Sequence, residues 1–321
     1  MLQIVRYSPF WVTMALVCGC SSEQSPELIF EDVTVVSETP YDVHVGETQK
    51  IELATIGCTD FTVKNDKLLV TTSNKEGLVD VYNWPEMEFK GSFIQIGNGP
   101  LEVYNQLFTN DFSYYTQDDD LHVNFYDGYT SAIDWNVDES VRNQKISMVK
   151  SKINLPVEDG GVISYSYLGD NDCLYRHISD DATSQIRVLS LAGGESSNEY
   201  IDHLNSVSIP KIKDSFLFNI MSTYTRVNKE RNLVVEVPLF MNHINIYGIR
   251  GKSFAKSIRI GEKVESVKKL FNEGATGMQL VFYDARAYDD FFGVVYKDKY
   301  DLKALPVIYF FNWDGYPLCS V

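Results

Sequence analysis

The chain has 321 residues, 44% of them hydrophobic and 13% aromatic, with a formal net charge of −16. That much apolar material can build a sizeable core, in one large domain or two ordinary ones. The acidity speaks against nucleic acid, which needs basic patches to displace its counterions, and against attachment to anionic lipid through protein charge.

The chain opens on a leader. Arg6 precedes the apolar run 10–17 (FWVTMALV), and Gly19-Cys20 is followed by the polar stretch 21–26 (SSEQSP). A run this short cannot span roughly 30 Å of hydrocarbon, so it reads as the apolar centre of a signal peptide. Residues 17–20 (VCGC) resemble a bacterial lipobox. Small residues there let a peptidase approach, and the Cys20 thiol takes diacylglycerol as a thioether; Cys18 sits too early for that role. An ordinary secretory leader with incidental cysteines is the alternative. The expected division is a leader over 1–19, an anchor and N-terminal linker over 20–48, and a folded domain over 49–321. The membrane is then a partner only through the lipid on Cys20, where each buried methylene adds about 0.8 kcal/mol. Cys58, Cys173 and Cys319 remain. An odd number allows at most one internal disulfide, and buried apolar thiols are the plainer reading.

Strand patterns dominate the rest of the chain. Residues 49–56 (QKIELATI) alternate and read as one extra strand. The strand 79–84 (VDVYNW) then recurs at 123–128 (VNFYDG), 186–191 (IRVLSL), 244–249 (INIYGI) and 308–313 (IYFFNW). A second run precedes each copy: 67–72, 121 onward in a compressed second copy, 172–177, 232–238 and 291–297. Outer runs come after at 89–96 and 254–260. The best helical pattern is short, at 264–272 (VESVKKLFN). A unit of three or four antiparallel strands recurring every 45 to 65 residues or so predicts propeller blades, because a ring buries faces that one blade cannot. A β-sandwich would not require one strand to recur five times.

Two stretches resemble the TolB-like six-bladed β-propeller lipoproteins of Bacteroidota. One is Ile96-Gly97-Asn98-Gly99-Pro100-Leu101-Glu102; the other runs from Tyr283-Asp284 to Trp313-Asp314-Gly315-Tyr316-Pro317. The resemblance implies an all-β propeller in an outer-membrane lipoprotein facing the periplasm or the cell surface. It implies no reaction. Phe310 lies close to the end of the sequence, leaving no residues for a sixth C-terminal blade. The expected ring is therefore six-bladed in family type but here either five-bladed, with a strand borrowed from the N-terminus, or incomplete.

Constellations that carry chemistry are sparse. The five histidines form no HExxH pair, residues 118–120 (DDD) lack the later EF-hand ligands, 251–253 (GKS) lack the phosphate-loop glycine, and no G-x-S-x-G occurs. No catalytic residue, metal or cofactor is assigned. Gly97, Asn98, Gly99 and Pro100 read as a tight inter-blade turn, with positive φ at Gly97 and Gly99; a backbone cradle for a ligand is the functional alternative. Trp84, Tyr104, Tyr114, Tyr115, Tyr129 and Trp313 either stack on sugar rings or fill blade interfaces. The expected function is a non-enzymatic binding module for an envelope protein or a glycan. The alternative is a polysaccharide hydrolase or lyase with paired carboxylates on the central face.

Overall fold

The computed structural model describes residues 27–48, 50–152, 161–170, 172–191, 194–211, 215–301 and 303–321. The leader and Cys20 lie outside the described residues. Strand β1 (Val33–Val36) comes first. Blade I is built from β2 (Cys58–Lys64), β3 (Lys67–Thr72), β4 (Val79–Asn83) and β5 (Phe89–Phe93). A parallel pair, β6 (Gln95–Ile96) and β7 (Glu102–Val103), leads to blade II. Blade II holds β8 (Ser113–Gln117), β9 (Asp120–Tyr126), β10 (Ser131–Asn136) and, after helix α1 (Val137–Asn143), β11 (Met148–Lys152). Blade III holds β12 (Val162–Gly169), β13 (Asp172–Ile178), β14 (Gln185–Leu191) and β15 (Gly194–Ser196). Helix α2 (Glu199–Asn205) leads on to blade IV: β16 (Thr223–Asn228), β17 (Leu233–Pro238), β18 (His243–Gly248) and β19 (Ala255–Ile260). Helix α3 (Val267–Glu273) leads to blade V: β20 (Phe282–Ala287), β21 (Phe291–Tyr296), β22 (Val307–Asn312) and β23 (Pro317–Ser320).

Each blade is antiparallel with its strands in chain order, and the described residues form five such blades. The all-β propeller expected from the sequence is this fold, in its five-bladed form. The hairpins between first and second strands come from local chemistry. Asp118 and Asp119 both have positive φ, the geometry of a two-residue type I′ turn, and Asn65, Asp170 and Asn232 take the same region. Short Asn and Asp side chains tolerate that conformation.

Three seams between blades are apolar. Leu69, Val81 and Phe93 of blade I meet Val123, Ile133 and Trp135 of blade II. Leu174 and Leu189 of blade III share a cluster with Val234 and Tyr247 of blade IV, capped by Ile201 and Leu270 of the two linking helices. Val235, Ile246 and Ile258 of blade IV meet Phe292, Phe311 and Trp313 of blade V. Full burial of one such side chain contributes roughly 1.5–3 kcal/mol.

Four of the five recurring segments fall on third strands: β4, β14, β18 and β22. The fifth does not. Residues 123–128 fall mainly on the second strand, β9, and the third strand of blade II is β10. Both strands send alternate apolar residues into one cluster, so the pattern alone could not rank them. The compressed second copy disappears with this correction. Residues 50–56 form no strand either: Ile51 and Ile56 are exposed, and only Leu53 packs on blade I.

The borrowed strand comes from earlier, in the stretch read as a linker. Strand β1 adds in parallel to β19 at the outer edge of blade IV. The residues before it are wedged in. Val267 N donates to Glu27 Oε2 at 2.9 Å, Asn245 Nδ2 and His243 Nε2 donate to Leu28 O, and Phe30 N donates to Ser257 Oγ at 2.8 Å. Burial pushes the His243 pKa down to about 4, so the ring is neutral; a carbonyl oxygen only accepts, which puts the single ring hydrogen on Nε2. The segment then reaches blade V, where Val43 N donates to Ser320 O at 2.8 Å. It reaches blade I where the Thr55 hydroxyl meets Asp80 at 2.5 Å and Tyr82 at 2.7 Å. The N-terminal segment is thus a belt over blades IV, V and I.

Candidate functional site: the central channel

The first strands of the blades all carry polar side chains: CTDFTVK, SYYTQ, VISYSYLG, TYTRVN and FYDARA. The ring topology brings all five to the axis. There they line a cavity of about 210 Å³. A second chamber of about 270 Å³ shares Asp111, Ser164, Thr225 and Arg226 with the first, and adds Arg176, Ser222, Thr223 and Tyr224.

The cations here are held by neutral groups. Arg226 on β16 donates from Nε to Ala285 O at 2.7 Å and from Nη1 to Thr225 O at 2.8 Å. Arg176 on β13 is 5% exposed. It donates from Nη2 to Thr223 O at 2.8 Å and from Nη1 to the Thr223 hydroxyl, and its Nε has no partner. Among the described residues neither guanidinium lies within ion-pair distance of a carboxylate. Burial depresses both pKa values, that of Arg176 to about 10. Lys229 stands over the rings of Tyr115 and Tyr167, 5.1 and 5.3 Å from their centroids. Burial lowers its pKa too.

The carboxylates are differently disposed. Glu236 lies fully buried behind the wall and is saturated by Arg187, at 2.8 to 2.9 Å, and by the Tyr247 hydroxyl at 2.9 Å. Two guanidiniums, Arg176 and Arg187, therefore share the neighbourhood of one acid. Asp60 and Asp284 are both engaged by Arg286, at 2.7 and 2.9 Å. Asp111 borders the open channel while protein surrounds it; burial raises its pKa and Arg226 opposes the shift. Tyr114, Tyr165 and Tyr167 complete the wall.

The residues singled out in the sequence lie mostly elsewhere. Gly97, Asn98, Gly99 and Pro100 form the turn between β6 and β7, and none of them lines the channel. Neither glycine has the positive φ expected of it. Their reason is close approach instead: Gly99 N donates to Glu102 Oε2 at 2.6 Å, and a Cβ on Gly97 would sit 2.0 Å from that oxygen. All three described thiols are free, and only Cys173 is buried; Cys58 is exposed. Of the six aromatics, Tyr114 lines the channel and Tyr115 backs Lys229, while Trp313 belongs to the core between blades IV and V. Sequence reasoning missed Arg176, Arg226, Lys229, Tyr165 and Tyr167. The signal was there as a polar strand ahead of each strand pair. No helix among the described residues is long and apolar enough to cross a membrane.

Solved structures similar to this chain include a putative exported protein from Bacteroides fragilis NCTC 9343. Its TM-score is 0.49 at 11% identity, with 90% of this chain and 80% of that one covered. A member of the duf4221 family from Bacteroides vulgatus ATCC 8482 gives 0.48 at 7% identity, covering 83% and 81%. A quinonprotein alcohol dehydrogenase-like protein from Bacteroides thetaiotaomicron VPI-5482 gives 0.37 at 11% identity, and the chain covers 55% of its length. No family model and no curated protein matches the chain.

Proposed function

We propose that the chain is an exported lipoprotein, anchored at Cys20 in the outer membrane as its resemblance to TolB-like propeller lipoproteins implies, and that it is a non-enzymatic module holding a glycan in its central channel. One observation carries this reading: tyrosines of blades II and III and the blade IV cations Arg226 and Lys229 converge on one cavity, and Arg176 of blade III lines the chamber beside it. Aromatic faces and the hydroxyls of Ser164, Ser166 and Thr225 suit a polyhydroxylated ring. The hydrolase alternative asks for two working carboxylates, and the two nearest the seam of blades V and I are tied up by Arg286.

The test is retention of the purified protein on immobilised envelope polysaccharides, with Ser164→Trp to fill the channel. Retention by the parent and its loss in the variant are expected. Equal retention of both proteins, or cleavage of the polysaccharide, overturns the reading. For the anchor, Cys20→Ala should move the protein out of the membrane fraction; unchanged fractionation counts against lipidation.

A further inference from the structure

We infer that the ligand of the channel is acidic: a saccharide whose carboxylate, as in a uronic acid, is taken by Arg226 and Arg176. This rests on the binding role proposed above and names the class of glycan. A chain with a net charge of −16 has carboxylates to spare for pairing its cations. Yet these two guanidiniums, one of them only 5% exposed, are bonded only to carbonyls and hydroxyls. Glu236, the nearest buried acid, is already saturated by Arg187 and Tyr247. Nearby acids act on both guanidiniums, but none is in ion-pair contact with either, and a buried cation without such a contact is costly. An incoming carboxylate supplies that contact.

The chemistry favours a carboxylate over other anions. A guanidinium offers parallel N–H donors that match a planar carboxylate in two bonds. Arg176 Nε is buried and lacks a partner, and Arg176 lines the second chamber together with Arg226. Ser222 and Thr223 also line this chamber. Asp111 sharpens the case. It stands close enough to Arg226 for each to shift the other's pKa, and so it is a negative charge that the ligand must tolerate. Removing that charge should strengthen the binding of an acidic ligand and leave a neutral one unaffected.

The test is calorimetric titration of the full mature domain with galacturonate and glucuronate oligosaccharides, with the matching neutral galactose and glucose oligosaccharides, and with inorganic phosphate. Uronates are expected to bind about tenfold or more tightly than neutral sugars or phosphate. Arg226→Gln should remove that preference while leaving weak neutral-sugar binding in place, and Arg226→Lys should restore part of it. Asp111→Asn should tighten uronate binding several-fold. Melting curves on each variant separate loss of binding from loss of fold. Neutral sugars binding as well as uronates would overturn this inference and leave the glycan reading standing. Phosphate binding as tightly as uronate, no uronate binding by the parent, or an unchanged preference in folded Arg226→Gln would also overturn it.

Discussion

Blade V presents two faces, and they are sealed in different ways. Toward blade IV it turns Phe292, Val294, Phe311 and Trp313, all about 1% exposed or less, onto Val235, Ile246 and Ile258. The residues that alternate with these, Phe291, Val295, Ile308 and Phe310, point the other way, toward blade I. Ile308 stays exposed there and no apolar cluster spans the gap among the described residues. That seam is closed by Arg286, which reaches Asp60 at 2.7 Å and Phe61 O at 2.5 Å, and by the N-terminal belt. Blades IV and V are neighbours in sequence, and their contact forms as the chain folds back on itself. Blades V and I are joined across 226 positions of sequence. The comparison teaches that the IV–V seam, like I–II and III–IV, is fused by hydrocarbon, while the closing seam relies on directional contacts, as the II–III seam does through Tyr165 to Asn124 and Tyr167 N to Ser113 Oγ.

The largest test of that contrast breaks the apolar seam. Phe292 stacks on Phe311, with ring centroids 5.4 Å apart, and meets Trp313 at a tilt, also 5.4 Å apart. Phe292→Ala should cost about 3–5 kcal/mol, read from the shift of the denaturant midpoint at constant slope. A loss below about 1 kcal/mol would mean the seam collapses around the gap.

The belt comes next, through pH. The His243 pKa in the folded chain, about 4, lies below its ordinary 6.5. A depressed pKa contributes stability above the unfolded value, and that stability is lost as pH falls from 6.5 through 4. The unfolded chain binds the proton first. The shift corresponds to on the order of 3 kcal/mol between those limits. His243→Gln keeps a donor for Leu28 O and should flatten this part of the pH–stability curve. An equal slope in both proteins would assign the acid sensitivity to another group.

A smaller effect is expected from Arg286→Ala. It leaves Asp60 and Asp284, partly buried, without their cation while Thr109 and Asn110 still donate to them, at a cost of about 1–3 kcal/mol. Its signature is local. Amide exchange should speed up in β2 and β20, the two first strands it joins, and stay slow in β17 and β18. Uniform acceleration across all blades would contradict a separately fastened seam.

The same contrast explains what was legible in the sequence. Third strands such as β4, β18 and β22 bury apolar side chains between blades, so their periodicity is strong. Blade II was misread because β9 and β10 feed one cluster and compete for the same pattern. The first strands escaped notice because they face the channel and have no apolar stripe to betray them. Arg176, Arg226 and Lys229 are scattered over some fifty positions, and only the ring topology gathers them. The belt was hidden for a different reason: VTVV is four residues long and half-exposed, too short to stand out from a linker.

The smallest expected effect lies at the crossing between blades I and II, and it separates two reasons for a glycine. Gly315, in the turn before β23, has φ +81, where a side chain is strained whatever the space around it; there Gly315→Ala should cost about 1 kcal/mol or more. Gly99 is outside that region of φ. The three atoms nearest a Cβ on it all belong to Glu102, with the carboxyl carbon at 2.9 Å, and a glutamate side chain can swing away. What Gly99→Ala then forfeits is the 2.6 Å bond from its N–H to Glu102 Oε2, on a part-buried turn that does not line the channel. The expected loss is under about 1 kcal/mol, and uronate binding should not change. Melting the two variants side by side decides it. If Gly99→Ala costs as much as Gly315→Ala, the turn is held by its backbone conformation and not by the carboxylate that fills it.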